Sequence, residues 1–428
     1  MKRLGVLWLV VFISLAGFGI TTIPFPFVAE NLGASDFWKT FGGSGVFSLF
    51  QLIATPIWGR FSDAYGRKPI LILSTGGTIL AFAWLASAST LESLLVARAF
   101  GGIMSGNLAA AFAYATDVTD PQNRAKGLGI VASAFGIGFA VGPPLGGLLG
   151  TDGGIPSMHW PGIASAVLSA IAFLGTIFLL PESLPKELRK PIGKAKAQRA
   201  AGAGGEAGAG GAGAGGEAGA GSEAGAGSEV GASGVSPIKA MLSNPVLIGL
   251  VMSSLFVAIA AGAMQSVFQF WGRDLFNYSL RDIGVHFMVF ALLSAVGQAG
   301  LVGPLVKRFG EKRLSLMAIG GVAVGLLLFA TAQNDAMVWA AICVFGLANG
   351  LFLPVITSLV SFEADARSRG AVMGMFNASS SAGRIVGPAL SGPVYFKLGP
   401  AAPFVISAVL AIIGAILLSR VRAKSAAG

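Results

Sequence analysis

The long apolar stretches of this 428-residue chain contain very few side chains that could carry chemistry. The unperturbed pKa of histidine lies near neutrality, and His286 comes four residues after Asp282, so the two side chains could share one helix face. Glu30 and Asp117 stand at the ends of two other stretches, where water could reach a carboxylate. These three groups, His286, Glu30 and Asp117, are candidates for taking up and releasing a proton. The alternative for His286 is a simple hydrogen bond to a neighbouring helix.

The chain lacks the sets of residues that bond chemistry needs. Cys343 is the only cysteine, which excludes an intrachain disulfide and a zinc cluster, and two histidines are too few for a histidine-rich metal site. The sequence has no Walker-type loop that could bind a nucleotide. We therefore expect no enzyme activity, no metal and no cofactor.

Two arginines, Arg98 and Arg384, are the only formal charges that lie well inside apolar stretches. A charge in such a position is costly and is expected to face the interior of a helix bundle, where it marks a functional site. The alternative for Arg98 is a structural role in which the guanidinium bonds backbone carbonyls.

The segment at 59–68, here called the latch segment, reads GRFSDAYGRK. Its glycines allow two helices and a tight turn to approach closely. Asp63 can pair with a nearby basic residue, and Arg67 can bond carboxylates or carbonyls in a fork. Such a charged latch would hold one conformation and break in another; the alternative is a tight basic turn. The residues assigned to it are Gly59, Asp63, Gly66, Arg67 and Lys68.

A glycine-rich run at 136–147 reads GIGFAVGPPLGG. Glycines on one helix face let two helices pack tightly. Pro143 should bend the helix, because proline removes a backbone hydrogen bond and clashes with the preceding turn. The residues singled out are Gly138, Gly142, Pro143 and Gly146, and the alternative is that they serve packing alone.

Other polar and aromatic side chains within the apolar stretches are candidates for lining a substrate cavity. Gln265 and Gln269 lie four residues apart and share a helix face. Hydrogen bonding between helices is the alternative for each polar residue. The candidates are Phe25, Gln265, Gln269, Gln298, Asn349, Asn377 and Arg384.

The composition indicates a membrane protein. Hydrophobic residues make up 54% of the chain and charged residues only 11%, whereas soluble domains carry about 25% charged residues. The mean hydropathy is +0.76. A spanning helix needs about 20 mostly apolar residues, and this rule predicts twelve spans, at 5–29, 39–58, 69–89, 92–115, 126–150, 158–181, 241–270, 283–306, 314–333, 337–361, 370–396 and 400–420.

The basic residues predict the orientation. Most of the 29 lysine and arginine residues fall in segments that share one side of the membrane with the two termini. Cytoplasmic loops carry such an excess, so we place both termini in the cytoplasm. This distribution also explains the net charge of +10 without a nucleic-acid partner.

The chain divides into two six-helix halves, 1–181 and 241–428, joined by a linker at 182–240. The linker is rich in glycine and alanine and cannot bury a core, so we expect a flexible cytoplasmic tether. The halves repeat: Gly142–Pro143 matches Gly387–Pro388 at an offset of 245 residues. A second match, at 303–312, echoes the latch segment but has a lysine at the position of Asp63.

The latch segment resembles the signature loop of the major facilitator superfamily, and the resemblance covers nearly all of the chain outside the linker. The run at 136–147 resembles the antiporter motif of drug:proton exporters in that superfamily, which implies export. The superfamily carries an arginine at the position of Arg98 that is thought to influence proton transfer. Segments at 34–36, 116–120 and 180–183 are similar to tetracycline-type efflux proteins. Ser14 replaces the aspartate of those proteins, which argues against tetracycline itself.

These observations predict an all-α membrane protein with twelve transmembrane helices in two six-helix bundles, the major facilitator fold. We expect a multi-pass protein of the plasma (inner) membrane that works as a monomer. Its expected function is export of small, partly apolar compounds by alternating access, with protons as the coupling partner. The alternatives are a coupled or uncoupled transporter of a sugar, metabolite or siderophore, and a non-transporting membrane receptor or scaffold.

Overall fold

A computed structural model describes residues 2–120, 124–189, 244–364 and 369–420. The α-helices of the first half are α1 (Lys2–Thr22), α2 (Phe25–Asn31), α3 (Asp36–Thr40), α4 (Val46–Tyr65), α5 (Arg67–Ser87), α6 (Leu91–Met104), α7 (Leu108–Asp117), α8 (Arg124–Leu149) and α9 (His159–Leu179). A short antiparallel hairpin, β1 (Thr151–Asp152) and β2 (Ile155–Pro156), connects α8 to α9. The α-helices of the second half are α10 (Pro245–Phe276), α11 (Leu280–Val296), α12 (Val302–Phe309), α13 (Glu311–Thr331), α14 (Asp335–Glu363), α15 (Arg369–Leu398) and α16 (Ala402–Arg420).

The helices combine into twelve membrane spans. Single π-helical or 3₁₀ turns join α3 to α4, α6 to α7 and α11 to α12, and α2 continues α1. Ten of the resulting segments, counted over the described residues, are long and apolar enough to cross a membrane. The other two long helices are α8, whose apolar part is Gly136–Leu149, and α15. The predicted all-α fold with twelve membrane helices is confirmed.

Local signals set where several helices begin. The side chains of Thr90, Asn244 and Asn334 each accept a hydrogen bond from a backbone N–H in the first turn of the helix that follows. Ser279 and Asp282 form a reciprocal capping box at the start of α11. These caps satisfy N–H groups that an apolar solvent could not.

Close backbone contact through glycines joins α8 to α1. Gly138, Gly142 and Gly146 follow one another at intervals of one turn on the face of α8 that touches α1. A Cβ atom at Gly142 would lie only 2.7 Å from the carbonyl oxygen of Ala16. Because no real Cβ approaches an oxygen so closely, any larger residue would push the two helices apart.

The second half repeats this packing at the matching positions. A Cβ atom at Gly387 of α15 would lie 2.6 Å from the carbonyl oxygen of Ile259 in α10. Five residues further along each helix, a second glycine reaches the opposite half: Gly147 packs against the backbone at Leu280, and Gly392 packs against the backbone at Asp36. Since both helices touch both halves, α8 and α15 form the seam along which the halves meet.

The two ends of the bundle carry different groups. The latch segment and the end of α9 lie on the side where the chain enters α1, which we call the latch face. A helix of 21 residues such as α1 is about 30 Å long. Glu30, after α1, and Arg273, near the end of α10, therefore lie on the opposite side, the gate face.

The glycine packing predicts that alanine substitutions at two different glycines have different effects on the stability of the protein. Gly142→Ala should destabilise the protein by about 1–3 kcal/mol, because the added methyl group collides with α1. Gly175→Ala, on α9, meets no atom within 4 Å and should be neutral or slightly stabilising, since alanine favours the helix. Unfolding temperatures in detergent would compare the two variants with the parent protein. Equal temperatures for all three would contradict the close contact.

Candidate functional site

Arg67 is the centre of the cluster at the latch face. Its guanidinium contacts Asp63 at 2.6 Å and Ser62 at 2.9 Å, both on α4. Its Nε donates to Asp117, at the end of α7, at 3.2 Å. Only 11% of the Arg67 side chain is exposed, so these charge-assisted bonds are largely shielded from water.

Glu182, just after α9, completes the latch cluster. Its carboxylate accepts the backbone N–H groups of Arg67 and Lys68 at 2.9 and 3.3 Å, where the start of α5 leaves them unpaired. Gly66 brings the chain into this turn with φ of 107°, a conformation that disfavours any side chain. Lys68 donates to the carbonyl of Ile177 at 2.7 Å. The cluster therefore ties together the ends of α4, α5, α7 and α9.

The second half has a glycine turn at Gly310 like that at Gly66, but the charged residues around it differ. Gly310 has φ of 74°, and Lys312 donates to the carbonyl of Ser419 at 3.0 Å, just as Lys68 does to Ile177. Lys307 occupies the position of Asp63. The second turn therefore lacks the acid that pairs with Arg67 in the first half.

Arg98 is buried between α6 and α1. Its Nη2 donates to the carbonyl of Thr21 at 2.6 Å, and the guanidinium lies 4.8 Å from the ring centre of Phe25. Its Nε has no hydrogen-bond partner. The arrangement matches the structural role considered for this arginine, a bond to a backbone carbonyl, and leaves one polar atom unused.

His286 is enclosed by aromatic rings of the second half. The ring centres of Tyr278 and Trp339 lie 4.6 and 4.4 Å from that of His286. Its Nδ1 is 2.7 Å from the backbone carbonyl oxygen of Asp282, which can only accept, so Nδ1 carries the hydrogen. Burial and a hydrogen bond to Asp335 raise the pKa of the Tyr278 phenol, so that group stays neutral.

A second charged cluster joins the two halves at the gate face. The carboxylate of Glu30 contacts Arg273 of α10 and lies 3.4 Å from Lys39 of α3. Arg273 also contacts Asp274 at 2.8 Å, and Tyr395 of α15 donates to Asp274 at 2.8 Å. We call these residues, together with Asp36, which lies 3.4 Å from Lys39, the gate cluster.

Aromatic and backbone contacts surround the gate cluster. The ring centres of Phe27 and Phe270 lie 5.4 Å apart across the halves, with the Arg273 guanidinium 5.2 Å from that of Phe27. The Thr40 hydroxyl donates to the carbonyl of Pro388 at 2.8 Å. These contacts close the bundle on the gate face.

The residues assigned to a substrate cavity do not form one cluster. Phe25 is fully buried beneath Arg98. Gln269 is buried and its Oε1 has no partner, while Gln265, Asn349 and Asn377 are partly buried. Gln298 and Arg384 are exposed, and Arg384 donates to Ser381 at 3.0 Å.

The proton-coupling candidates separate in space. Asp117 belongs to the latch cluster, Glu30 to the gate cluster, and Arg98 and His286 each lie within one half. Sequence reasoning missed Arg273 and Asp274 because nothing in the sequence pairs them with Glu30. For Glu182 there was a signal, since the segment 180–183 was already similar to efflux proteins.

A family model for the Major Facilitator Superfamily matches residues 7–302 and 274–427. The chain belongs to the Major Facilitator Superfamily. It is therefore a multi-pass membrane transporter for small molecules and not an enzyme, as the sequence predicted.

Similar proteins include two drug-resistance proteins and an organic anion transporter of known structure. The chain is 28% identical to the class C tetracycline resistance protein of Escherichia coli over 82% of this chain and 78% of that protein. It is 25% identical to multidrug resistance protein 2 of Bacillus subtilis, over 86% and 82% of the two chains. The crystal structure of the human organic anion transporter MFSD10 (TETRAN) has the same fold, with a TM-score of 0.68, 22% identity and coverage of 97% and 99%.

The latch cluster yields the second prediction. Asp63→Asn combined with Asp117→Asn should lower transport about tenfold or more at normal expression, because it leaves the shielded Arg67 cation without a carboxylate. Asp120→Asn, at an exposed position three residues further along, is the matched control and should transport like the parent protein. Transport by the double variant at the control's rate would refute a role for these charges.

Proposed function

We propose that this protein is a secondary exporter of small, partly apolar compounds, driven by proton uptake and working by alternating access in the inner membrane. The latch face lies in the cytoplasm and the gate face lies outside. The form described here is closed on the gate face by contacts between the halves. Transport requires a second form in which those contacts separate.

The position of the glycine-rich helix α8 carries the proposal. Its antiporter-type run packs on α1 through Gly142 and touches α11 of the opposite half through Gly147. It thus lies where the halves must move against each other. The similarity to tetracycline and multidrug resistance proteins over about four-fifths of the chain supports export as the direction.

The charges within the membrane support a preference for neutral or anionic substrates. Arg98 and Arg384 are the formal charges inside the spans, while the described acids stand near helix ends. A cavity without an acid has little to offset the cost of removing a cation from water. A similar fold belongs to a human organic anion transporter, which agrees with this preference.

Transport into everted membrane vesicles tests coupling and substrate charge together. The gate face then points inward, so an acidic interior supplies protons on that side. We expect a neutral apolar dye and its carboxylate analogue to accumulate only while the gradient lasts, and ethidium to accumulate less. Vesicles without the protein correct for passive trapping, and an ionophore that collapses the gradient should abolish the difference. Indifference to the gradient would refute proton coupling, and ethidium as the best substrate would refute the charge preference.

A further inference from the structure

The ion pair between Glu30 and Arg273 joins the two halves of the protein. It belongs to the gate face, whereas Asp63 and Asp117 pair with Arg67 inside the first half. A change in the charge of Glu30 therefore acts directly on a contact that must break for the gate face to open.

We propose that Glu30 is the proton-binding site that opens the gate face. A proton from the water outside forms an O–H bond on the Glu30 carboxylate, and the charge pair with Arg273 is lost. The halves then separate on this side and release substrate outward. Release of the proton on the cytoplasmic side restores the carboxylate, and the ion pair with Arg273 closes the gate face again. This inference rests on the proposed function, because it assigns the coupling group of the same transport cycle.

When the Glu30–Arg273 ion pair breaks, each cation of the gate cluster still has a carboxylate partner in its own half. Arg273 keeps Asp274 of its own half at 2.8 Å. Lys39 keeps Asp36 of its own half at 3.4 Å. Once Glu30 is neutral, each half of the cluster holds one acid and one base and is neutral by itself. Separation therefore avoids the penalty of exposing an unpaired charge to an apolar environment.

Water can reach the pair from the gate face. The side chain of Glu30 is 28% exposed and that of Arg273 is 37% exposed. The hairpin that also packs on α2 adds one exposed acid, Asp152, and Tyr395 reaches the cluster through Asp274. Arg384 and Lys397 are further charged groups of α15, and Lys39 also lies 4.4 Å from the ring centre of Phe396 in the opposite half. Among the acids of these elements, Glu30 is the one seen to pair with a cation of the opposite half.

The other coupling candidates lack this connection. Protonation of Asp117 would loosen its contact with Arg67 at the latch face, inside one half. His286 Nδ1 donates a hydrogen bond to the backbone carbonyl of Asp282, and the imidazole stacks on Tyr278, so both contacts lie inside one half. Other contacts between the halves include the hydrogen bond from Thr40 to the Pro388 carbonyl and the Lys39 ammonium 4.4 Å from the ring centre of Phe396. Protonation of Glu30 therefore changes an ion pair that joins the two halves.

A distance measurement across the gate face tests the inference. Spin labels at Asn31→Cys and Leu275→Cys, in a Cys343→Ser background, report the separation of α2 from α10 at exposed positions. In the parent protein a longer distance should gain population as the pH falls. Glu30→Gln, which mimics the protonated acid, should show the longer distance at all pH values. Asp152→Asn, which removes an exposed acid of the hairpin outside the gate cluster, is the matched control and should keep the pH dependence of the parent protein.

Transport separates failure of this inference from failure of the proposed function. In everted vesicles, Glu30→Gln should lose about tenfold or more of the gradient-driven accumulation while still exchanging labelled for unlabelled dye. Glu30→Asp should recover part of the coupled transport, because it restores a carboxylate. If the parent protein ignores the gradient, proton coupling itself is wrong. If the parent protein and Glu30→Gln respond equally to the gradient, or if the gate distance ignores Glu30→Gln, coupling resides elsewhere and this inference is overturned.

Discussion

A charge that leaves water must find a partner, and this constraint decides where the polar groups of the protein lie. Arg67 holds two carboxylates at one face of the bundle, and Arg273 holds two at the other. Arg98, which lies deeper, bonds a backbone carbonyl and an aromatic face in place of an acid. The interior between the two faces carries few formal charges, so a change of shape there would separate few ion pairs.

The halves are rigid for a different reason. Glycines on α8 and α15 bring backbone against backbone, and such contacts allow little adjustment because no flexible side chain lies between the helices. The same two helices also touch the opposite half, through Gly147 and Gly392. Relative motion of the two halves would therefore occur about these two contacts. This arrangement agrees with the internal repeat, since the four contacts occupy matching positions.

The fold was predictable from the sequence because it depends on signals that are local. Apolar runs of the right length marked the spans, and the match of Gly142–Pro143 with Gly387–Pro388 marked the repeat. The sites were less predictable because they join distant positions. Glu30 and Arg273 are 243 residues apart and belong to different halves, so no spacing rule could pair them. Asp117 was recognised as a titratable group at a helix end, but its place beside Arg67 depends on how four helix ends converge.

The position of Glu182 has a consequence for how the chain can be divided. This residue follows the last helix of the first half, yet its carboxylate binds the backbone at the start of α5, so the chain just after α9 is a structural part of that half. A polypeptide ended after Arg189 would retain every member of the latch cluster, whereas one ended at Leu179 would leave the first amides of α5 without their acceptor. Two separately produced fragments should therefore reassemble best when this short extension stays with the first half.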